Sequence, residues 1–573
     1  MMTNAEIAAR LEQVADLLEF QGANPFRIRA YRNGARAIQD LPEPVVAILE
    51  DSARRLTEMK GIGEDLAEKI ADLVSTGTMA ILDELLAETP ESVLALLRVP
   101  GLGPKRAALL HRELGINTLD QLRQACQSGQ VRLIKGFGAK TEASILENLA
   151  IAEEAGKRTY WAIADEIVDA LKAHFVDCTA VKRIKPAGSY RRGRDTVGDL
   201  DLLALADDPE AVMDHFARFP AIGQVLLRGG TKMSVRLNVG LQVDLRVVPA
   251  ESFGAALQYF TGSQAHNVVL RGMAKARGLK INEYGVFRGE TRIGGEDEAD
   301  VYGVLGLPLF PPELREARSE FEWAAAGALP ELVRLEDLRG DLHAHSTWSD
   351  GMATIEEMAA AAGQRGLEYL AITDHSKRVA MAGGLDADQL LRQWEEVDAI
   401  NRRLEGVRVL KGVEVDILEG GGLDLPDEVL AQGDWIVASV HYGQNQSRER
   451  ITGRVVEAIE NPCVCAIAHP TGRLLNQRKA YQLDLEAVFR AAAENRKMLE
   501  LNAHPKRLDL DDVACAAARN YGVPVVIASD AHNIEGLGTL RYGILQARRG
   551  GLTRDGVANS RPWPELRKMI GKT

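Results

Sequence analysis

Apolar positions recur at helical spacing from the first residues of the chain, where M-M-T-N-A-E-I-A-A-R-L-E-Q-V-A reads as an acidic amphipathic helix. From about residue 158 the pattern changes to strand-like alternation separated by charged turns, and the proline-containing stretch L-P-L-F-P-P-E-L-R (307–315) closes this section. An Ala-rich helix near W-A-A-A-G-A-L-P then reads as a linker. From 339 to the end, apolar strand patterns alternate with helical ones, which predicts βα units.

Three segments of the helical region repeat one pattern: K-G-I-G-E-D-L-A-E-K-I (60–70), P-G-L-G-P-K-R-A-A-L-L (100–110) and K-G-F-G-A-K-T-E-A-S-I (135–145). Each is a G-x-G turn leading into a helix, the helix-hairpin-helix pattern. Its glycines (Gly61, Gly63, Gly101, Gly103, Gly136, Gly138) let the backbone approach a phosphate, and the free N–H groups of the following helix point at it. A single copy is equally well read as a tight interhelical turn; three copies favour a surface that grips a nucleic-acid backbone without reading its sequence.

At 573 residues the chain is too long for one core, so three to five structural units are expected. The start lacks the basic residues and apolar run of a leader, and no apolar run approaches the roughly 20 residues that span a bilayer, so a soluble cytoplasmic protein is expected. The five cysteines are read as reduced buried thiols, with Cys463 and Cys465 on a buried strand. A net charge of −13 counts weakly against nucleic-acid binding, but it averages over domains, and Lys182, Arg183, Lys185, Arg191, Arg192 and Arg194 form a local basic cluster. Motifs have to decide.

The segment P-A-G-S-Y-R-R-G-R-D-T-V-G-D-L-D-L-L-A-L (186–205) places Asp199 and Asp201 two apart on an apolar strand, so both project from one face. Asp244 lies on a second strand pattern, L-Q-V-D-L-R-V-V (241–248). Three acids on neighbouring strands repel one another unless cations sit between them, and they suit a pair of divalent ions that activate an attacking oxygen and stabilise a leaving phosphate. Gly188 and Ser189 offer a close backbone approach, and Arg192 can reach a triphosphate. A solvated edge strand would explain D-x-D alone, but not D-x-D preceded by G-S-x-R-R-G.

These motifs, followed by Q-V-D-L-R, Q-Y-F-T-G-S (258–263) and L-K-I-N-E-Y-G (279–285), resemble a family X DNA polymerase over residues 1 to about 317. The resemblance implies a palm bearing Asp199, Asp201 and Asp244, with Asp244 accepting or orienting the primer hydroxyl. It implies triphosphate contacts from Ser189 and Arg192, further nucleotide-binding positions at Gly188 and Gly198, contacts to the sugar and its neighbourhood from Tyr259, Phe260 and Gly262, and Asn267 and Arg271 facing the nascent pair. Lys69 falls where lyase-proficient relatives carry a Schiff-base lysine, and Arg27 and Tyr31 match positions that contact a 5′-phosphate. Asp65 stands where such relatives often place a lysine, which counts against lyase activity; the plain alternative for Lys69 is a surface lysine.

In the last part of the chain, seven strand-like runs at intervals of roughly 30 residues each end in a potential ligand. In a βα barrel all strand C-terminal ends open on one face, so these groups would converge there. Imidazole with carboxylate suits Zn, Mn or Fe. The set H-x-H, S-D-G, T-D-H, G-x-E, S-V-H, A-H-P and S-D-A-H resembles the PHP (polymerase and histidinol phosphatase) family over residues 338–573. That resemblance implies three metals held by His343, His345, Asp350, His375, Glu414, His441, His469, Asp530 and His532. Glu414 would bridge one ion on His343, His345 and Asp530 and a second on His441 and His469, while Asp350, His375 and His532 hold the third. His504 lies outside the ligand pattern, and with Arg507 it is read either as a phosphate contact or as a strand cap.

The expected architecture is multidomain: an all-α helix-hairpin-helix N-terminal region, an α+β nucleotidyltransferase palm with a small thumb, and a C-terminal distorted (β/α)7 PHP barrel. The expected boundaries are a lyase-type domain at 1–80, fingers at 81–157, palm at 158–250, thumb at 251–317, linker at 318–338 and barrel at 339–573. The expected function is gap-filling DNA synthesis in repair, with the barrel removing 3′ nucleotides and incising abasic sites. The partners would be gapped or nicked DNA and dNTPs, with Mg or Mn in the palm and three Mn, Zn or Fe ions in the barrel, on a monomer without membrane contact. Two other readings are a barrel acting as phosphatase or pyrophosphatase, and a non-catalytic scaffold that binds DNA ends.

Overall fold

A computed structural model of the protein describes residues 4–39, 45–51, 54–59, 61–89, 92–93, 96, 99, 102–155, 158–475 and 480–571. None of the described helices is long and apolar enough to cross a membrane. The chain forms two compact units, Met1–Arg158 with Val239–Leu241, and Thr159–Asn238 with Gln242–Thr573.

Among the described residues the N-terminal unit is helical, with one apolar cluster around Leu11, Leu17, Ile38 and Ile70 and another around Leu110, Leu122, Phe137 and Leu149. The repeated turns are built alike. The residue between the glycines (Ile62, Leu102, Phe137) is buried, and the second glycine (Gly63, Gly103, Gly138) lies exposed just before a helix at Glu64–Thr76, Pro104–Leu114 or Ala139–Ala155. Gly61 and Gly136 have φ of 102° and 95°, which side-chain-bearing residues rarely adopt. Gly101 lies outside the described residues.

The second unit opens with a five-stranded mixed sheet in the order Arg183–Pro186, Asp199–Leu205, Gln242–Val248, Lys232–Leu237, Ile222–Arg228. Asp199–Leu205 and Gln242–Val248 run parallel, with Asp201 opposite Asp244. The helices Phe253–Thr261 and Gln264–Ala276 follow, then a three-stranded antiparallel sheet ending at Thr291–Gly294. The segment read as a linker is tied down: its helix Glu320–Ala325 buries Glu320, which bonds His266 at 2.9 Å.

Seven parallel strands, from Gly340–Ala344 to Val525–Ala528, form the largest sheet in sequence order. The last returns to the first, since Asp530 donates its N–H to the His343 carbonyl at 2.9 Å and His345 donates to Ala531 at 2.8 Å. Alternation sends Leu342, Tyr369, Leu410, Trp435 and Val526 to an inner core, which the C-terminal helix residues Trp563 and Leu566 complete. Strand neighbours such as Leu370, Val409 and Ile436 pack outward under the helices. The five cysteines form no disulfide; four are buried, but Cys463 is half-buried in a turn and Cys465 precedes the short strand Ala466–Ile467, so the strand begins later than the alternation C-V-C-A-I-A suggests.

Asn559, fully buried, clasps the barrel seam: its amide donates to the Gly340 and Ile527 carbonyls, both at 2.7 Å, and accepts from the Ile527 N–H at 3.1 Å. Asn559→Ala leaves these backbone groups buried without partners and is expected to destabilise the barrel by about 3 kcal/mol. Urea unfolding followed by the fluorescence of the buried Trp435 and Trp563 checks this; an unshifted transition would show that the seam does not need the clasp.

Candidate functional sites

The barrel strands deliver their terminal side chains to one mouth, but alternation alone does not aim them. The pairing register slips between Asp341 and Ala344, so that His343 follows the inward Leu342 and still faces the mouth, with His345 beside it. His469 and Asp530 have φ of 27° and 55°, a strained conformation for non-glycine residues that redirects side chains at strand ends.

At the centre lies Glu414, fully buried. One oxygen is 3.0 Å from His469 Nε2 and 3.4 Å from His441 Nε2; the other is 2.8 Å from His375 Nδ1, 3.4 Å from His343 Nε2 and 3.8 Å from His345 Nε2. Burial alone would raise the Glu414 carboxyl, but His375, His441 and His343 outweigh it and hold it well below the ordinary range. Burial likewise disfavours a charged His343, yet Glu500, Asp530 and Glu414 hold it well above the usual histidine value. Burial and the neighbouring His375 push His345 down to about 3, so His345 is neutral. Its two ring nitrogens, His343 Nε2 and His375 Nδ1 are buried without a hydrogen-bond partner. Buried imidazoles gathered around carboxylates, one of them neutral with neither ring nitrogen bonded, are the donor set of a divalent metal centre.

Three groups have ligand atoms close enough to share an ion: His343, His345 and Asp530; His375, Glu414 and His441; and His345, Asp350, His375 and His532. The first is a grouping that the family resemblance implies, and the third is the implied set Asp350, His375 and His532 with His345 added. In the second, His375 joins Glu414 and His441, and His469 approaches Glu414 from the other side.

In the mixed sheet, Asp199, Asp201 and Asp244 share one face of two adjacent parallel strands. Burial, then Asp199 and Asp244, push Asp201 up to about 7, as expected of an acid cluster short of positive charge. Gly188 closes over it: a Cβ there would lie 2.4 Å from Asp201 Oδ2, so only glycine fits. Asp244 is lowered; burial opposes this, but Lys232 Nζ at 2.9 Å and Gln242 Nε2 at 2.9 Å favour the carboxylate.

Family models match in the same order along the chain: a helix-hairpin-helix domain at 2–79, a SAM-like helix-hairpin-helix tandem at 93–151, a DNA polymerase beta thumb at 256–316 and a PHP domain at 341–504. The DNA polymerase/3′-5′ exonuclease PolX of Bacillus subtilis (strain 168) is 40% identical over 582 aligned positions, covering 99% of each chain. The chain belongs to the PolX family. A probable phosphatase of Acetivibrio thermocellus is 38% identical over 201 positions (34% of this chain, 78% of that protein), and one of Thermoanaerobacter sp. (strain X514) is 32% identical over 232 (38% and 89%).

Other residues expected at a PolX nucleotide site are placed unevenly. Ser189 lies on the turn after Gly188, Gly198 is exposed beside Asp199, and Tyr259 and Phe260 are half-buried, with Arg246 stacked on Phe260 at 4.3 Å. Arg192 instead bonds Glu316 at 3.0 Å and the Thr261 carbonyl at 2.5 Å, next to Gly262. Asn267 is buried and engaged with Gln258 and the Tyr259 carbonyl, while Arg271 is exposed and bonds back to the Asn267 carbonyl. The basic cluster expected around 182–194 is largely spent internally: Arg191 pairs with Glu298 at 2.8 Å, Lys182 with Asp207, and Arg183 stacks on Phe253. In the N-terminal unit, Arg27 is exposed, Tyr31 is buried, and Lys69 is ion-paired with Asp65. A Schiff base requires the free amine, whereas a carboxylate partner binds the protonated form.

Sequence reasoning missed the carboxylates behind the ligands. Glu500 accepts from His343 Nδ1 at 2.7 Å and from the His469 N–H at 2.5 Å; Asp416 holds His441 Nδ1 at 2.9 Å; Asp374 takes the Ser346 N–H at 2.8 Å and Ser349 Oγ, fixing the turn that carries Asp350. Asp416 could have been found two residues beyond Glu414 on the same strand face, but Glu500 is 157 residues from its partner. Such partners fix the ring tautomer and raise ligand basicity, so Glu500→Gln is expected to weaken Mn²⁺ binding by about 10–100-fold. Equilibrium dialysis against Mn²⁺ measures it; an unchanged affinity would remove Glu500 from the metal centre.

Proposed function

We propose that this chain is a template-directed DNA polymerase carrying a 3′–5′ exonuclease, acting at gaps and nicks during repair. The observation that carries this reading is the joint presence, in a PolX chain, of a palm with three acids on one face and a barrel mouth where nine imidazoles and carboxylates converge. Gapped or nicked DNA and dNTPs are the substrates, and the exposed glycine loops of the N-terminal unit hold the DNA backbone of a monomeric enzyme.

Divalent ions, Mg²⁺ or Mn²⁺ in the palm and three Mn²⁺, Zn²⁺ or Fe²⁺ in the barrel, supply charge neutralisation at phosphorus and a more acidic attacking oxygen. In the palm, Asp199 and Asp201 hold the cations that their mutual repulsion calls for. Asp244, kept ionised by Lys232 and Gln242, takes or orients the proton of the primer hydroxyl. Ser189 and Arg192 hold the triphosphate, and Tyr259, Phe260 and Gly262 line the sugar. In the barrel, His343, His345 and Asp530, then Glu414, His441 and His469, then Asp350, His375 and His532 are the metal ligands. Arg507, whose Nε lies 3.6 Å from Asp530, and His504, its pKa lowered chiefly by burial, face the phosphodiester. Incision at abasic sites is assigned to the barrel, because a lyase step at Lys69 would have to break its pair with Asp65.

A second reading, in which the barrel hydrolyses small phosphomonoesters, draws on the relatives named as probable phosphatases, which match roughly a third of the chain. Labelled primer DNA against a free phosphomonoester, each with Mn²⁺, separates the two. Asp199→Ala with Asp201→Ala is expected to abolish extension of a gapped duplex, by at least 10³-fold, while 3′ degradation continues; continued extension would rule out this palm. Glu414→Ala is expected to do the reverse, losing 3′ degradation while extension persists, and undiminished degradation would sink the barrel assignment.

A further inference from the structure

The turn Gly188–Asp195, which carries Ser189 and Arg192, is held from the barrel side at four points. Arg549, the last residue of the helix Leu540–Arg549, donates to the Arg192 carbonyl at 2.8 Å. Gln546, one turn earlier, donates to the Gly193 carbonyl at 2.9 Å, and Leu545 packs against Gly193 so closely that a Cβ there would meet it at 3.3 Å. Arg473 pairs with Asp195 at 3.2 Å. A nucleotide-binding turn of the palm is thus clamped by residues more than 270 positions away in sequence, on elements of the phosphoesterase barrel.

Arg549 does more than hold the backbone. Its guanidinium is almost fully buried and lies between two carboxylates, Glu316 at 2.9 Å and Asp512 at 2.7 Å. The Glu316 oxygen that accepts from Arg549 also accepts from Arg192 Nε at 3.0 Å. Arg192 therefore shares its carboxylate with a second cation. Were Arg549 absent, Glu316 would be shared only with the more distant Arg194, at 3.9 Å, and would bind Arg192 more tightly, and the Arg192 backbone would lose its anchor. A guanidinium offers five N–H donors in a rigid fork. Glu316 and the Thr261 carbonyl engage two of those of Arg192, and the orientation they impose decides where the other three point.

We propose that Arg549 is a positioning residue for the polymerase: it sets Arg192 through the shared Glu316 carboxylate and through the Arg192 carbonyl, so that the barrel takes part in binding the incoming triphosphate. This rests on the reading of Arg192 as a triphosphate contact. It gives the barrel a role in DNA synthesis that is separate from its metal centre, since Arg549 belongs to none of the ligand groups.

The test is steady-state gap filling by the full-length protein, with KM for dNTP and kcat measured separately for wild type, Arg549→Met, Arg549→Lys, Arg192→Ala and the Arg192→Ala/Arg549→Met double variant. Degradation of a labelled single-stranded 3′ end by each variant reports that the unit is folded. Arg549→Met is expected to raise KM by about tenfold, the scale of a charge-assisted hydrogen bond, with kcat within about threefold and 3′ degradation unchanged. If burying two unbalanced carboxylates unfolds that variant, Arg549→Lys carries the test: it keeps the charge, but one nitrogen cannot span three acceptors, and a smaller rise in KM of about threefold is expected. In the double variant KM should rise no further than in Arg192→Ala alone, because Arg549 acts through Arg192. An unchanged KM in the folded Arg549 variants alongside a raised one in Arg192→Ala overturns the proposal alone, as does an additive double variant. An unchanged KM in Arg192→Ala overturns the placement of Arg192, and the routing with it.

Discussion

Glu414 sits fully buried near the end of a parallel strand with five imidazoles from four other barrel segments around it, and the architecture of the barrel mouth follows from that placement. A carboxylate taken out of water is costly unless cations or hydrogen-bond donors surround it. Here the surrounding groups are histidines, and one of them, His345, is neutral with both ring nitrogens buried and unbonded. Divalent ions would resolve both problems together, giving Glu414 its counter-charge and the imidazoles their bonds. The register slip before His343 and the positive φ of His469 and Asp530 are local strains kept in place by this arrangement and by the seam that joins the first and last strands.

The palm meets the same constraint with fewer groups. Asp201, crowded by Asp199 and Asp244, is pushed toward neutrality, whereas Asp244 is kept charged by Lys232 and Gln242. The cluster is thus divided between an acid that awaits a cation and an acid already ionised. The two sites are built on one unit, and Arg473, Gln546 and Arg549 connect the turn Gly188–Asp195 to the barrel helices and loops without passing through either set of acids.

Much of this was legible in the chain because its signals are local. The G-x-G turns, the two-residue spacing of Asp199 and Asp201, and strand ends bearing histidine at regular intervals each report a backbone geometry that a short window specifies. What was not legible depends on register and long-range closure. Glu500 behind His343, Lys232 beside Asp244, Asn559 across the seam and Arg549 over Arg192 are ordinary residues until the fold brings their partners to them. The same reason explains the fate of the basic cluster at 182–194. Its charge was visible, but the acids that absorb it, Glu298 and Glu316, lie more than 100 residues on.

The central claim, that the barrel mouth is a metal centre organised on Glu414, is tested most directly by anomalous diffraction from a crystal of the protein grown with Mn²⁺. The account predicts manganese peaks inside the histidine cluster, with Glu414 Oε1 or Oε2 and the Nε2 atoms of His343, His345 and His441 within about 2.4 Å of a peak, in the range of hard-cation bonds to protein ligands. A map with no peak there, and these side chains still bonded to one another, would contradict it.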